Sequence, residues 1–221
     1  MSGALAMFAR KGNTALHTTA GNFYVVSMLF MAGSASALTW WEYDPLSMLN
    51  GLVVMYLVAT SWMAVRQHGK GWRRYEWAIL PVGAACVLAL GYFGFMATQS
   101  PTGGIGGFSP EPYFVFGGIG LMAVLLDLNY LLRDNVNPRQ RIARHLWRMV
   151  YAYLLAATAL FLGQQDDVFF FMAGSQLLFI PSLATLAFLA FWIIRVRFAK
   201  NWLRPIWPVR AKATPNTEVG A

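Results

Sequence analysis

The sequence predicts an all-α fold: a polytopic membrane helix bundle of six transmembrane helices, with both termini on the cytoplasmic side. Three observations predict it. Of the 221 residues, 57% are hydrophobic and only 12% charged, with a mean hydropathy of +0.48. A soluble domain carries about 25% charged residues, so this chain has too little polar surface for a water-soluble fold. The apolar residues gather into six runs, most of them close to the ~20 residues that cross a ~30 Å hydrocarbon core. All 17 Lys and Arg fall at alternate ends of those runs.

Taken in order, the runs are 22–38, 47–65, 77–97, 113–132, 146–163 and 170–194. "WWEYDP" closes the first, "RQHGKGWRRYE" the second and "TQSPTGGIGGFSPEP" the third. "RDNVNPRQRIAR" follows the fourth and "GQQDD" the fifth. Small residues recur on several spans: Gly33 with Ala37; Gly117, Gly118 and Gly120; Ala152 with Ala156, Ala159 and Gly163. In lipid such residues let helix backbones approach closely. Pro181 falls inside the sixth run and predicts a kink, because it removes one helical hydrogen bond. The organisation is then an N-terminal arm at 1–21, a membrane domain at 22–194 and a basic tail at 195–221 whose end is disordered.

The basic residues occupy the N-terminal arm, the loops after the second and fourth runs with their helix ends, and the C-terminal tail. The other loops hold none, and carry Glu42, Asp44, Glu111, Asp166 and Asp167 instead. Because Lys and Arg stay in the cytoplasm during insertion, this alternation predicts both termini inside. Trp40 and Trp41 mark the outer boundary, and the other seven tryptophans lie at or near the inner one, as amphipathic rings do. Arg141, Arg144 and Arg148 at the inner rim are expected to anchor the fifth helix, each drawn to anionic headgroups by about 1 kcal/mol. The pI near 9.9 therefore reflects a membrane surface, and no nucleic-acid partner is expected.

Two features are set aside. Arg10 and Lys11, then "FYVVSMLFMAG", then "SASA" have the order of a cleaved secretory signal. The polar "GNTALHTTAGN" separates charge from apolar run, so a retained first span is the expectation. The outer loop "PTGGIGGFSPEP" lacks the Gly-Lys-Ser/Thr ending of a phosphate loop and is expected to be a connector. Cys86 is a single buried thiol in an apolar run, which leaves no intrachain disulfide and no cysteine-based metal site.

The residues that carry chemistry are few. His17 and His145 are expected at matched depth near the cytoplasmic boundary. Two neutral imidazoles on facing helices about 10 Å apart can supply both axial nitrogens of a b-type haem iron. His68 lies in the basic loop, and the outer half has no histidine, so at most one haem is expected. Asp127 lies six residues before Arg133, roughly 9 Å inside the span. An intramembrane carboxylate usually faces the bundle interior and a partner. Asp127, His145, Arg148 and Tyr130 form a candidate site for a quinone headgroup or a proton relay, set against a structural ion pair that fixes the fourth and fifth helices.

"KGNTALHTTAGNFYVVSMLF" and "RHLWRMVYAYLLAATALFLGQ" resemble the two signature regions of a broad family of bacterial polytopic inner-membrane proteins of unknown function. The matching residues are Lys11, Gly12, His17, His145, Trp147, Arg148 and Met149, and the likeness covers about forty residues. Thr18 and Asn22 stand where the pattern has arginines, and His145 and Trp147 are closer together than in it. The resemblance implies a bacterial inner-membrane location and a role for both histidines. It implies no activity.

Three functional readings follow. The first is a redox- or quinone-associated protein with its site at the cytoplasmic side between the first, fourth and fifth helices, using haem b or quinone. The second is a non-enzymatic accessory subunit packed against other membrane subunits. The third is a small transporter, weakened by the lack of an internal repeat.

Overall fold

A computed structural model describes residues 14–66, 71–133, 138–158, 160–161, 169–172 and 174–198. It is all-α. The helices are α1 (Thr14–Trp41), α2 (Pro45–Arg66), α3 (Gly71–Gln99), α4 (Pro110–Leu132), α5 (Pro138–Thr158) and α6 (Ile180–Phe198). Two short 3₁₀ turns, Phe170–Met172 and Gln176–Phe179, precede α6.

Five of the helices, all but α5, are long and apolar enough to cross a membrane. That is the architecture of a multi-pass membrane protein. The remaining helix, α5, is shorter in apolar residues because Arg139, Arg141, Arg144 and Arg148 lie in its first half. Large apolar side chains such as Phe23, Phe30, Leu88, Leu125 and Ile194 point outward from α1, α3, α4 and α6. In water such a surface would drive aggregation, whereas in hydrocarbon it is solvated.

The bundle is organised around α2. Over its most apolar stretch 56% of residues are buried, against 17–28% for the other candidate spans. It packs against α1, α3, α4 and α5, while α6 leans on α5. Two apolar clusters flank α2. Leu49, Val53, Tyr56 and Leu57 meet Cys86, Leu90, Tyr113 and Ala123 of α3 and α4. Val54 and Val58 meet Tyr24, Val25 and Met28 of α1 and Ala152 of α5.

Missing side chains set the closest approaches. A Cβ on Gly51 would overlap Ser36 Oγ, which donates to both Ala32 O (2.8 Å) and Met48 O (3.0 Å) across the α1–α2 seam. A Cβ on Gly83 of α3 would lie 2.7 Å from the Tyr56 ring, so that glycine makes the channel through which the tyrosine passes. Gly120 meets Val87 in the same way, with 2.9 Å to Cγ2, while Gly118 faces open space.

Several boundaries differ from the sequence reading. α1 begins at Thr14 and so contains His17. α3 begins at Gly71, which brings Glu76 into the helix. α5 begins at Pro138, eight residues before the apolar run, because Arg144 and Arg148 face inward and need no apolar neighbours in sequence. Pro181 does not kink a helix interior. It is the second residue of α6, where a proline's missing N–H has no helical partner to lose. The loop at 102–109 is more than a connector. Ile105 and Phe108 pair backbone to backbone, Tyr113 Oη donates to Ile105 O (3.0 Å), and Gly106 at φ +58° packs on Pro45. The arm at 1–13, His68 and the tail beyond Phe198 lie outside the described residues.

Candidate functional site: a buried charge centre

Four charged side chains meet inside the bundle. Asp127 (1% exposed) comes from α4, Glu76 (2%) from α3, and Arg144 (6%) and Arg148 (0%) from α5. Arg144 and Arg148 are four residues apart, so they project from one face of α5 toward α4. Their sum with the two carboxylates is zero, which is the condition for keeping charge out of water.

Asp127 is the hub. Its Oδ1 accepts from Arg144 Nε (2.9 Å) and from Arg148 Nη2. Its Oδ2 accepts from Arg148 Nη1 (3.0 Å) and from the Tyr56 hydroxyl. Arg148 also donates from Nη1 to Thr60 Oγ1 (2.6 Å) and from Nη2 to Ala123 O (3.2 Å). Arg144 reaches the other way and donates from Nη1 to Glu76 Oε1 (2.7 Å). Its guanidinium lies 4.2 Å from the ring centre of Tyr130, a half-buried residue at the margin of the cluster. Chains of charge-assisted bonds of this kind are the strong ones in a low-dielectric interior.

Not every polar atom is matched. Among the described residues, Glu76 Oε2 and the Nε atoms of Arg141 and Arg148 are buried without a hydrogen-bond partner. Arg144 Nη2 lies 2.9 Å from Asp127 Oδ1 but out of line for a hydrogen bond. The centre is therefore paired in charge yet incomplete in hydrogen bonds.

The neighbouring elements hold it in place. Arg73 donates from Nη2 to Leu131 O and to Arg133 O (2.9 Å), closing the C-terminal carbonyls of α4 where a cation is favoured. Ser61, next to Thr60 on α2, donates to His145 O (3.0 Å). His145 Nδ1 lies 3.1 Å from Ser61 Oγ and 3.2 Å from Ser61 O. Tyr24 Oη donates to Met149 O (3.1 Å), tying α1 to α5. Asn22 Oδ1 accepts from Trp62 Nε1 (3.3 Å) and Arg66 Nη2 (3.0 Å), tying α1 to α2.

Of the residues singled out in the sequence, Asp127, Arg148 and Tyr130 come together. His145 stands one turn before Met149 on α5 and is oriented by Ser61. His17 lies in the first turn of α1, two turns before Tyr24, and α1 contributes nothing to the charge centre. The centre is built by α2, α3, α4 and α5 rather than between α1, α4 and α5. Arg144 and Arg148 are not rim anchors at the headgroups, because both are enclosed among α2, α3 and α4. Glu76, Tyr56, Thr60 and Arg144 were missed as site residues. Among the described residues no group of three or more His, Cys, Asp or Glu is placed to hold a metal ion. Searches of family models, curated proteins and solved structures gave no match to this chain.

Proposed function

We propose that this chain is a redox- or quinone-associated membrane protein of the bacterial inner membrane, working at the buried charge centre. Its basic end faces the cytoplasm and anionic headgroups. The observation that carries the reading is the incomplete hydrogen bonding of four charges placed inside an apolar bundle. A structural tie needs one pair, and an ionisable residue at membrane depth is a functional candidate by default. A second pair with unmatched donors is costly unless something else uses it.

A quinone headgroup suits the donor set. Its carbonyl oxygens take N–H donors, and Arg141 Nε is a buried donor without a partner. Arg141 acts electrostatically on Tyr130, whose half-buried ring lies beside the Arg144 guanidinium at the margin of the cluster. Arg141 and Tyr130 would hold the headgroup, and the Tyr56–Asp127 bond behind them is a place to hold a proton. A quinone supplies two-electron chemistry coupled to protons. For haem, His145 would be one ligand, with Ser61 holding its Nδ1 as outer partners commonly hold ligating histidines. His17 would be the second ligand.

The test is quinone extraction and a reduced-minus-oxidised visible spectrum of detergent-purified protein from a haem-replete host. Near-stoichiometric quinone supports the proposal. A low-spin α band lost in both His17→Ala and His145→Ala would instead make this a b-type cytochrome. Neither pigment nor quinone leaves the accessory-subunit reading, which the saturation of Asp127 by four donors favours.

A further inference from the structure

We infer that the charge centre takes its ligand in the reduced, hydroxyl-bearing form, a quinol rather than a quinone, with Arg141 Nε donating to the hydroxyl oxygen and Glu76 Oε2 accepting its hydrogen. The inference rests on the quinone reading above and adds which redox form fits. Among the described residues, two unmatched atoms border Tyr130, and they are opposite in kind. Arg141 Nε is a buried donor and Glu76 Oε2 a buried acceptor. Arg144 brackets the place: its Nη1 donates to Glu76 Oε1 (2.7 Å), and its guanidinium lies 4.2 Å from the Tyr130 ring centre. Arg141 is three residues earlier on α5, on the same face as Arg144. Both Arg141 and Glu76 act electrostatically on Tyr130. Asp127 does not compete, because its two oxygens already accept four bonds.

The count of hydrogens decides between the two forms. A quinone oxygen has lone pairs and no hydrogen. It takes the Arg141 N–H but sets lone pair against lone pair at Glu76 Oε2. A quinol hydroxyl both donates and accepts, as a tyrosine hydroxyl does, and so matches both atoms at once. A buried acceptor left unmatched is costly, so the hydroxyl gains more than one ordinary bond. The approach is from the bilayer. Tyr130 is half-buried, and Leu126 and Met122, one and two turns away on the same stripe of α4, are exposed. An apolar tail can lie along that stripe while the ring meets the charges.

The test is equilibrium binding of a short-chain benzoquinone and of its quinol to the full-length protein in detergent, under argon so that neither form converts. Wild type should bind the quinol roughly tenfold or more tightly than the quinone, the worth of one hydrogen bond to a charged group. Glu76→Gln keeps an amide oxygen for Arg144 and puts an N–H where Oε2 stood. It should equalise or reverse the preference, because an amide N–H donates to a carbonyl. Equal or tighter quinone binding by wild type would overturn the inference and leave the quinone reading standing. A quinol preference unchanged in Glu76→Gln that is folded by circular dichroism would overturn it in the same way. No binding of either form by wild type would remove both. Should the variant not fold, the wild-type ratio alone decides.

Discussion

Replacing Arg148 by methionine separates two accounts of the arginines of α5. If Arg148 were an interfacial anchor, its loss would cost about 1 kcal/mol of headgroup attraction. Enclosed as it is, with bonds to Asp127, Thr60 and Ala123 O, its loss leaves Asp127 and Glu76 facing Arg144 alone. Removing one partner of a buried ion pair costs about 3–5 kcal/mol. At 1.4 kcal/mol per decade this is roughly a hundred- to several-thousand-fold in the folded-to-unfolded ratio, a large part of a typical 5–15 kcal/mol stability. Methionine is close in length, so little of the loss is cavity. The assay is reversible unfolding of purified protein in mixed micelles, with Arg148→Met, Asp127→Leu and the double variant forming a cycle. The double variant should be markedly more stable than the sum of the single losses predicts, because no charge is left unpaired. An Arg148→Met cost below about 1 kcal/mol, or strict additivity, would refute the reasoning.

Other substitutions test the packing around the centre. Gly83→Ala drives a methyl to 2.7 Å from the Tyr56 ring and should cost about 1–3 kcal/mol of stability. Gly118→Ala, with nothing within 4 Å, should be neutral or stabilising by up to about 1 kcal/mol, read in the same unfolding assay. Tyr24→Phe removes the bond to Met149 O and should cost near the ~0.6 kcal/mol average for membrane helix hydrogen bonds. Pro181→Ala should change thermal stability little, since the residue is in the first turn of α6; a large gain in helicity by circular dichroism would restore the interior-kink reading.

The helical architecture was legible because hydropathy depends on composition over whole spans, and 20 apolar residues in a row leave few alternatives. Asp127 was legible for the same reason, as a carboxylate that interrupts such a run. Glu76 was not, because it follows "WRRY" and reads as the edge of a basic loop. Its position beside a 21-residue apolar run at 77–97 was the available signal. The arginines were misread by sequence distance. Arg141, Arg144 and Arg148 are spaced by three and four residues, which is one helix face, and a single face can turn inward as readily as toward headgroups. Tyr56 and Thr60 carry no sequence mark at all, since only Gly83 on another helix opens the path to Asp127. The start of α6 was misplaced because "FFFMAGSQLLFIPS" is apolar without being one continuous helix. Hydropathy does not see the Gly174 turn at φ +77°.

The most direct test of a working charge centre is binding of a short-chain benzoquinone to purified protein, measured by equilibrium titration with wild type and Tyr130→Leu. Tyr130 lies at the margin of the centre, so the leucine variant should stay folded by circular dichroism. The account predicts saturable binding to wild type that Tyr130→Leu abolishes. Equal binding by both proteins, or none by wild type, would contradict it.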